Sequence, residues 1–299
     1  MSWLIVIIIA YFLFATSFLI DRYLLTGPLS ARVYVFYVGI LGASSLLLIP
    51  FVNFSILKIN EIVFCFLGGA AYIFALFGLF YGLERFEAST IVPAIGGFLP
   101  VFSFFLVYFF SGGKEVLTLK ESLALIFLTF GSIIIYGKGF LKIPLLGLKI
   151  SFITAIFLSI SLLMAKYAFS MFSFWNGFIW IRIGAFFTVL FFIFNKEVRK
   201  EIFIKKPALS KKTFPLFLFN QLIGAGAFVL QNWAIAIAGL VYLPLINALQ
   251  GIQYIFLFFL TLLFLNQNKD KKAIFQKFIA ILFIGLGLMI LGLDFSKIF

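Results

Sequence analysis

The side chains that could do chemistry in this chain are mainly amides, because histidine is absent and Cys65 is the only cysteine. These absences exclude His-based catalytic triads, Cys/His zinc sites, disulfide frameworks and CxxC redox motifs. The ten Asp and Glu residues all fall between the apolar stretches or near their ends. The sequence therefore predicts neither an enzyme nor a protein with a cofactor or a resident metal.

Two stripes of polar side chains have helical spacing. Gln221 and Asn232 fall within about 40° of one another at about 100° per residue, and Asn247, Gln250 and Tyr254 share a face in the next apolar stretch. Such stripes can hydrogen-bond a small solute, although Asn and Gln also bond membrane helices to one another. We favour a solute pathway, and its expected substrate-binding residues are Gln221, Asn232, Asn247, Gln250, Tyr254 and Tyr81.

Arg182 is the only charged residue well inside an apolar stretch. A guanidinium there could bind a substrate carboxylate through two parallel hydrogen bonds. It could equally pair with a helix C-terminus or extend along its own helix towards water. The sequence leaves these alternatives open, and we include Arg182 among the candidate substrate-binding residues.

Three prolines also fall inside apolar stretches: Pro93, Pro100 and Pro244. A proline in a helix interior removes a backbone hydrogen bond and kinks the helix. The three positions are therefore candidate hinges or gates, and static kinks held by neighbouring helices explain them equally well.

The elements that carry these residues are membrane helices. Of the 299 residues, 64% are hydrophobic and 11% charged, whereas a soluble protein is about a quarter charged. Although the net charge is +13, the basic residues lie in short runs between long apolar stretches and form no wettable face for nucleic acid. Continuous stretches of about 20 apolar residues predict helices that span a lipid bilayer, not barrel strands. Ten such stretches occur, at 3–20, 32–50, 62–83, 87–110, 120–137, 147–169, 174–194, 214–238, 240–264 and 276–293.

The ten segments divide into two similar halves, residues 1–144 and residues 145–299, related by a repeat of about 150 residues. Ser17–Tyr23 matches Ser161–Tyr167, which places Arg22 opposite Lys166, and Ile91–Gly96 matches Tyr242–Asn247. We expect Arg22 and Lys166 to extend towards the membrane surface. Because five segments per half is an odd number, the second half must cross the bilayer in the opposite direction. The predicted fold is an all-α membrane protein of ten helices in two inverted five-helix repeats.

The motif Phe80-Tyr-Gly-Leu-Glu84, followed by Ala88-Ser89, Pro93 and Pro100-Val-Phe102, resembles the third-to-fourth helix hairpin of a known transporter family. Glu121 to Gly137 is similar to the glycine-containing fifth helix of the same family. The chain is identified by this resemblance as an EamA-type member of the drug/metabolite transporter superfamily. The resemblance covers nearly the whole chain, and it implies a carrier whose cavity lies between the two halves.

Basic residues predict the orientation in the membrane. They are concentrated in alternate loops, above all 138–149, 195–213 and 266–277. The positive-inside rule places these loops in the cytoplasm and both termini outside. The excess of Lys, Ile and Phe is typical of an AT-rich bacterial genome, so we expect a multi-pass protein of the bacterial plasma (inner) membrane.

Taken together, these features predict a secondary transporter that moves a small organic metabolite, such as an amino acid, by alternating access. The absence of a carboxylate from the segment interiors favours a facilitator or exchanger of neutral or zwitterionic solutes. The alternatives are a lipid flippase or a proton-coupled multidrug exporter of the same fold. We expect a monomer or a homodimer.

Overall fold

The computed structural model describes residues 2–26, 30–86, 88–134, 144–203, 213–264 and 271–293. Helices dominate these residues, and none of these residues forms a β-strand. The α-helices are α1 (Ser2–Leu25), α2 (Ala31–Gly42), α3 (Ile59–Arg85), α4 (Ala88–Phe110), α5 (Leu119–Ile134), α6 (Leu145–Met171), α7 (Phe174–Leu190), α8 (Lys196–Phe203), α9 (Phe214–Ile237), α10 (Leu243–Ala248), α11 (Gln250–Phe264) and α12 (Lys271–Leu293). Short 3₁₀ helices extend α2 and α7 and precede α10.

The helices have the length and surface of membrane spans. Eight helical stretches of the described residues are long and apolar enough to cross a bilayer: Trp3–Leu25, Ala31–Phe51, Ile59–Arg85, Ile91–Phe110, Leu145–Met171, Phe174–Phe194, Phe214–Ile237 and Leu240–Thr261. Large apolar side chains cover the outside, among them Phe51 and Leu119 with exposed fractions of 84% and 80%. A soluble protein rarely exposes so much contiguous apolar surface. The prediction of an all-α, multi-pass membrane protein is confirmed.

The fifth and tenth predicted segments are also helical but are not among these eight stretches. Helix α5 is described over Leu119–Ile134, and α12 has an apolar stretch over Phe278–Ile290. The two helices pack along each other. Residues 138–143, 204–212 and 266–270 of the predicted basic loops lie outside the described residues, whereas other parts of these loops form α8 and the beginnings of α6 and α12.

Local sequence explains where α3 and α5 begin. The backbone N–H of Lys58 donates to Glu61 Oε2, and that of Thr118 donates to Glu121 Oε2, each over 2.8 Å. A glutamate three residues into a helix satisfies one of the backbone N–H groups that the helix start leaves unpaired.

The three prolines occupy different backbone positions. Pro93 and Pro100 lie inside α4, as predicted. Pro244 lies instead in the first turn of α10, where a proline removes no helical hydrogen bond. Pro244 therefore does not kink a helix interior, contrary to the prediction, and its role as a hinge or gate stays a prediction. The ninth segment is interrupted further along, at Leu249, between α10 and α11.

Helices of the first half pack mainly on helices of the second. The most extensive contacts are α1 with α9, α3 with α6 and α5 with α12. The backbones come closest between α3 and α7, where a Cβ atom at Gly69 would lie 2.3 Å from the carbonyl oxygen of Ile181. A Cβ atom at Gly184 would lie 2.5 Å from Phe66 Cα. Glycine at both positions lets the two helices touch along their backbones.

We expect Gly69→Ala to lower the melting temperature of the purified protein and its yield, because the added methyl group meets backbone atoms that cannot move aside. Overpacking of this kind costs about 1–3 kcal/mol. Gly285→Ala is the matched control, since a Cβ atom at Gly285 in α12 meets nothing within 4 Å. Equal melting temperatures for the two variants would contradict the close approach of α3 and α7.

Two basic side chains satisfy the ends of helices. Arg22 in α1 donates to the carbonyl oxygen of Leu83 near the end of α3. Lys166 in α6 donates to Ala236 O over 3.1 Å and to Ala238 O, at the end of α9. Each side chain thus ends on carbonyl groups at a helix end, and our expectation that both extend towards the membrane surface stays a prediction. The helix ends attract these cations because their last carbonyl groups are unpaired and carry partial negative charge.

Candidate functional site

A cavity of about 540 Å³ lies among α1, α2, α3, α7 and α9. This volume is within the range of about 300–1,000 Å³ that is typical of small-molecule sites. Helices α1–α3 belong to the first half and α7 and α9 to the second, so residues of both halves form the walls.

One face of each helix lines the cavity. On α1 the lining positions are Phe14, Ser17, Phe18 and Asp21, three or four residues apart along one face. The wall contributed by α9 follows the same spacing and consists of Leu218, Gln221, Leu222, Gly224, Ala225, Phe228 and Val229. Most lining side chains are apolar or aromatic, which leaves a few polar groups to select and orient a solute.

Asp21 is the acidic group of the cavity and is only 3% exposed. Its Oδ1 accepts hydrogen bonds from Tyr34 Oη and, over 2.6 Å, from Asn220 Nδ2. Gln221 Nε2 donates in turn to Tyr34 Oη over 3.4 Å. The Tyr34 ring is held by edge-to-face contacts with Phe80 and Phe217. The sequence ended the first segment at residue 20, just before Asp21, whereas α1 continues to Leu25 and buries Asp21 near its C-terminal end.

Arg182 is the basic group of the cavity and lies in the middle of α7, 9% exposed. Its Cζ lies 3.8 Å from the ring centroid of Phe228, 5.0 Å from that of Tyr72 and 5.5 Å from that of Phe178. A guanidinium over aromatic faces is stabilised by cation–π attraction. Within the described residues, no carboxylate forms an ion pair with Arg182. Of the alternatives that the sequence left open, the structure places the guanidinium in a cavity and not at a helix end.

Two of the predicted substrate-binding residues, Gln221 and Arg182, line this cavity. Asn232 is buried beyond the cavity, where its Nδ2 donates to the carbonyl oxygen of Phe228 in its own helix. Tyr81 also lies outside the cavity lining, and its ring lies 3.5 Å from the Cζ of Arg85.

The remaining predicted residues belong to a second polar group, the amide cluster, formed by Ser103, Asn247, Gln250, Gln253 and Tyr254. Asn247 Nδ2 donates to Ser103 Oγ over 2.6 Å, a bond from α10 to α4. Tyr254 Oη donates to Gln250 Oε1 over 3.2 Å. The Tyr254 hydroxyl group occupies the space beside Gly96, since a Cβ atom at Gly96 would lie 1.4 Å from Tyr254 Oη. Gln253 is 1% exposed, and its two amide atoms have no hydrogen-bond partner among the described residues. None of these five residues lines the cavity.

Sequence reasoning missed Asp21, Tyr34 and Asn220. The signal for Asp21 was its spacing, since Phe14, Ser17 and Phe18 precede it by seven, four and three positions and therefore share its helix face. Continuing α1 by one turn beyond Ile20 would have placed the carboxylate on that face. No comparable signal identifies Tyr34 or Asn220, because their role depends on contacts between distant helices.

The described residues contain no group of three His, Cys, Asp or Glu side chains that could hold a metal ion. The polar groups of the cavity are instead suited to binding, since they provide one carboxylate, one guanidinium, an amide and hydroxyl groups within an apolar envelope.

Comparisons with known proteins concern the fold. No family model matches the chain, and no curated protein matches it. Among solved structures, one described only as "Crystal structure of protein" is similar, with a TM-score of 0.70 and 13% sequence identity. The similarity covers 99% of this chain and 98% of the other. The fold is therefore shared over nearly the full length of both chains, and the comparison carries no information on activity.

Proposed function

We propose that this protein is a secondary transporter of the EamA type that moves small organic metabolites across the plasma membrane by alternating access. The observation that carries the proposal is the cavity between helices of the two halves, with Asp21 and Arg182 in a mostly apolar wall. In secondary transporters, substrate sites lie near the bilayer midplane at the interface between structural repeats.

Two further observations support ten segments in two inverted five-helix repeats, residues 1–144 and 145–299. Arg22 and Lys166, at matching positions of the repeat, each bond the end of the third long helix of their own half. The main contacts between the halves are also equivalent under the repeat: the first helix of each half packs on the third long helix of the other half, α1 on α9 and α6 on α3.

The cavity and the amide cluster are suited to opposite states of an alternating-access cycle. The cavity is partly open, whereas four of the five residues of the amide cluster are buried, namely Ser103, Asn247, Gln253 and Tyr254. Transport then requires the amide cluster to separate as the cavity closes. The unpartnered amide of Gln253 supports such a rearrangement, because an unsatisfied buried polar group costs about 1–3 kcal/mol.

The test is solute release from proteoliposomes loaded with the small-metabolite fraction of a bacterial extract. We expect a limited set of solutes to leave faster than from protein-free liposomes, as measured by mass spectrometry. Equal retention of every solute would overturn the proposal. A fluorescent lipid in the same vesicles tests the flippase alternative, which predicts lipid scrambling in place of solute release.

Buried Asp21 favours a second candidate, a proton-coupled exporter. The sequence disfavoured this function because it placed no carboxylate inside the membrane, whereas Asp21 is buried in α1, within a helical stretch long enough to cross a bilayer. An imposed pH gradient distinguishes the two mechanisms. A facilitator or exchanger gives the same net flux with and without the pH gradient. A proton-coupled carrier uses the pH gradient to accumulate its substrate against the substrate's own concentration gradient.

The proposed orientation places the basic loops in the cytoplasm and both termini outside, in a bacterial plasma membrane. A phosphatase that is active only outside the cytoplasm, fused after Phe299, should therefore be active. Activity of a cytoplasm-specific reporter at the same position would reverse the orientation and leave the transport proposal unchanged.

A further inference from the structure

The cavity holds one buried acid and one buried base that do not pair with each other. We propose that these two residues bind the charged groups of a zwitterionic amino acid with an apolar side chain, its ammonium at Asp21 and its carboxylate at Arg182. This inference rests on the proposed function in one respect, that the cavity is the solute site.

Asp21 has an acceptor available for an ammonium group. Both of its hydrogen bonds, from Tyr34 and Asn220, end on Oδ1, and Oδ2 accepts none from the described residues. Two donors on one oxygen fix the carboxylate in place and leave the second oxygen free. A fixed carboxylate beside a cavity can accept charge-assisted hydrogen bonds from a substrate ammonium without reorganising.

Arg182 has donors available for a carboxylate. It lies over the aromatic faces of Phe228 and Phe178 and also forms a side-chain hydrogen bond with Tyr72, which leaves its other N–H donors for a ligand. A guanidinium that stacks over a ring still directs its N–H donors outward in its own plane, where a carboxylate can bind two of them. The structure provides no such carboxylate among the described residues, so the substrate is the natural partner for this buried cation.

The charge balance of the cavity selects a dipolar solute. Among the described residues that line the cavity, Asp21 and Arg182 are the charged ones, one of each sign. A cationic solute would compensate Asp21 and repel Arg182, and an anionic solute would do the reverse. A zwitterion compensates both, and burial strengthens this preference because charges interact more strongly away from water.

The rest of the lining suits an apolar side chain. Aromatic rings form much of the wall, among them Phe14, Phe18 and Phe80. The hydroxyl oxygen of Ser45, also in the lining, is buried without a hydrogen-bond partner in the described structure. This hydroxyl group provides a further polar contact for a solute in the same cavity as Asp21 and Arg182. A large polar side chain on the solute would be disfavoured, because it would lose its hydration against the aromatic rings.

The test measures binding of L-leucine, L-methionine and L-phenylalanine to the purified protein by isothermal titration calorimetry. The tightest of the three is then compared with its amide, which lacks the carboxylate, and its N-acetyl derivative, which lacks the ammonium. We expect the free amino acid to bind at least about tenfold more tightly than either derivative. Equal affinity for all three forms, or no binding of any of the three amino acids, would overturn the inference.

Two variants assign the charged groups to their partners. Asp21→Asn should weaken binding of the amino acid about tenfold or more and should not weaken binding of the N-acetyl derivative, an anion that the Asp21 carboxylate repels. Arg182→Gln should weaken binding of the amino acid similarly and should not weaken binding of the amide, a cation that the Arg182 guanidinium repels. An equal loss for every ligand in both variants would contradict the assignment. The wild-type comparison decides the inference even if a variant fails to fold.

The two proposals fail separately. If proteoliposomes release solutes but the three amino acids do not bind, the transport proposal stands and the zwitterion assignment is wrong. If the amino acids bind with the expected selectivity and no solute crosses the membrane, the cavity is a binding site and the protein is not a carrier.

Discussion

Ala225→Trp should reduce solute flux to the level of protein-free liposomes while the protein still folds. Ala225 lies on the cavity face of α9, with its side chain open to the space between the halves. An indole ring at this position occupies the volume that a solute needs. Its large apolar surface also favours keeping the ring within the cavity. The measurement is the initial rate of solute release at equal protein content in the vesicles.

Met289→Trp is the control for Ala225→Trp. Met289 lies in α12 with an exposed fraction of 67%, on the outer surface of the helices and outside the cavity lining. We expect this variant to transport at the wild-type rate. Retained flux in a folded Ala225→Trp protein would show that solutes do not pass through this cavity.

A reversible covalent link between Ser103 and Asn247 should produce a similarly complete loss of flux. The two side chains touch, with 2.6 Å between Oγ and Nδ2, and they connect α4 of the first half to α10 of the second. If the amide cluster must separate during each cycle, a link at this point stops the cycle. The double variant Ser103→Cys/Asn247→Cys is made in a Cys65→Ala background and treated with a short bifunctional thiol reagent whose link a reductant cleaves.

We expect flux to fall to background after cross-linking and to recover after reduction. The single variants Ser103→Cys and Asn247→Cys control for modification without a link, and the reduced double variant controls for loss of the native hydrogen bond. Complete cross-linking with unchanged flux would mean that α4 and α10 stay together throughout transport, which would exclude the proposed role of the amide cluster.

Hydropathy alone predicted most of the helical framework. A long apolar stretch in lipid has to be helical, because only a helix satisfies every backbone group within one segment. Eight of the predicted segments accordingly appear as helical stretches of spanning length. The exact ends depend on local groups that hydropathy ignores. Glu61 and Glu121 set helix starts, and α1 continues past the last apolar run to Leu25.

The division of the amide stripes could not be predicted from spacing. Gln221 and Asn232 do face the same direction around α9, but eleven residues separate them along the axis, about 16 Å. Gln221 therefore reaches the cavity and Asn232 lies beyond it. Helical periodicity predicts the angle at which a side chain leaves the helix axis. It does not predict which neighbouring helix the side chain contacts at its level along that axis.

The acidic group of the cavity was missed for a related reason. A carboxylate near the end of an apolar stretch is expected to reach water, and most do so. Asp21 remains inside because Tyr34 and Asn220, distant in sequence, supply the donors that compensate its burial. Arg182 could be proposed from sequence because it lies in the middle of an apolar stretch, although extension along its helix towards water stayed an open alternative until the structure placed it in the cavity wall.

Reaction of a single cysteine in the cavity tests the transport pathway most directly. The Ala225→Cys variant in a Cys65→Ala background provides one thiol, on the cavity face of α9. A membrane-impermeant, charged thiol reagent added to proteoliposomes should modify this thiol and stop solute flux, and the transported solute should slow the modification. Complete modification with undiminished flux and no protection by the solute would contradict the account.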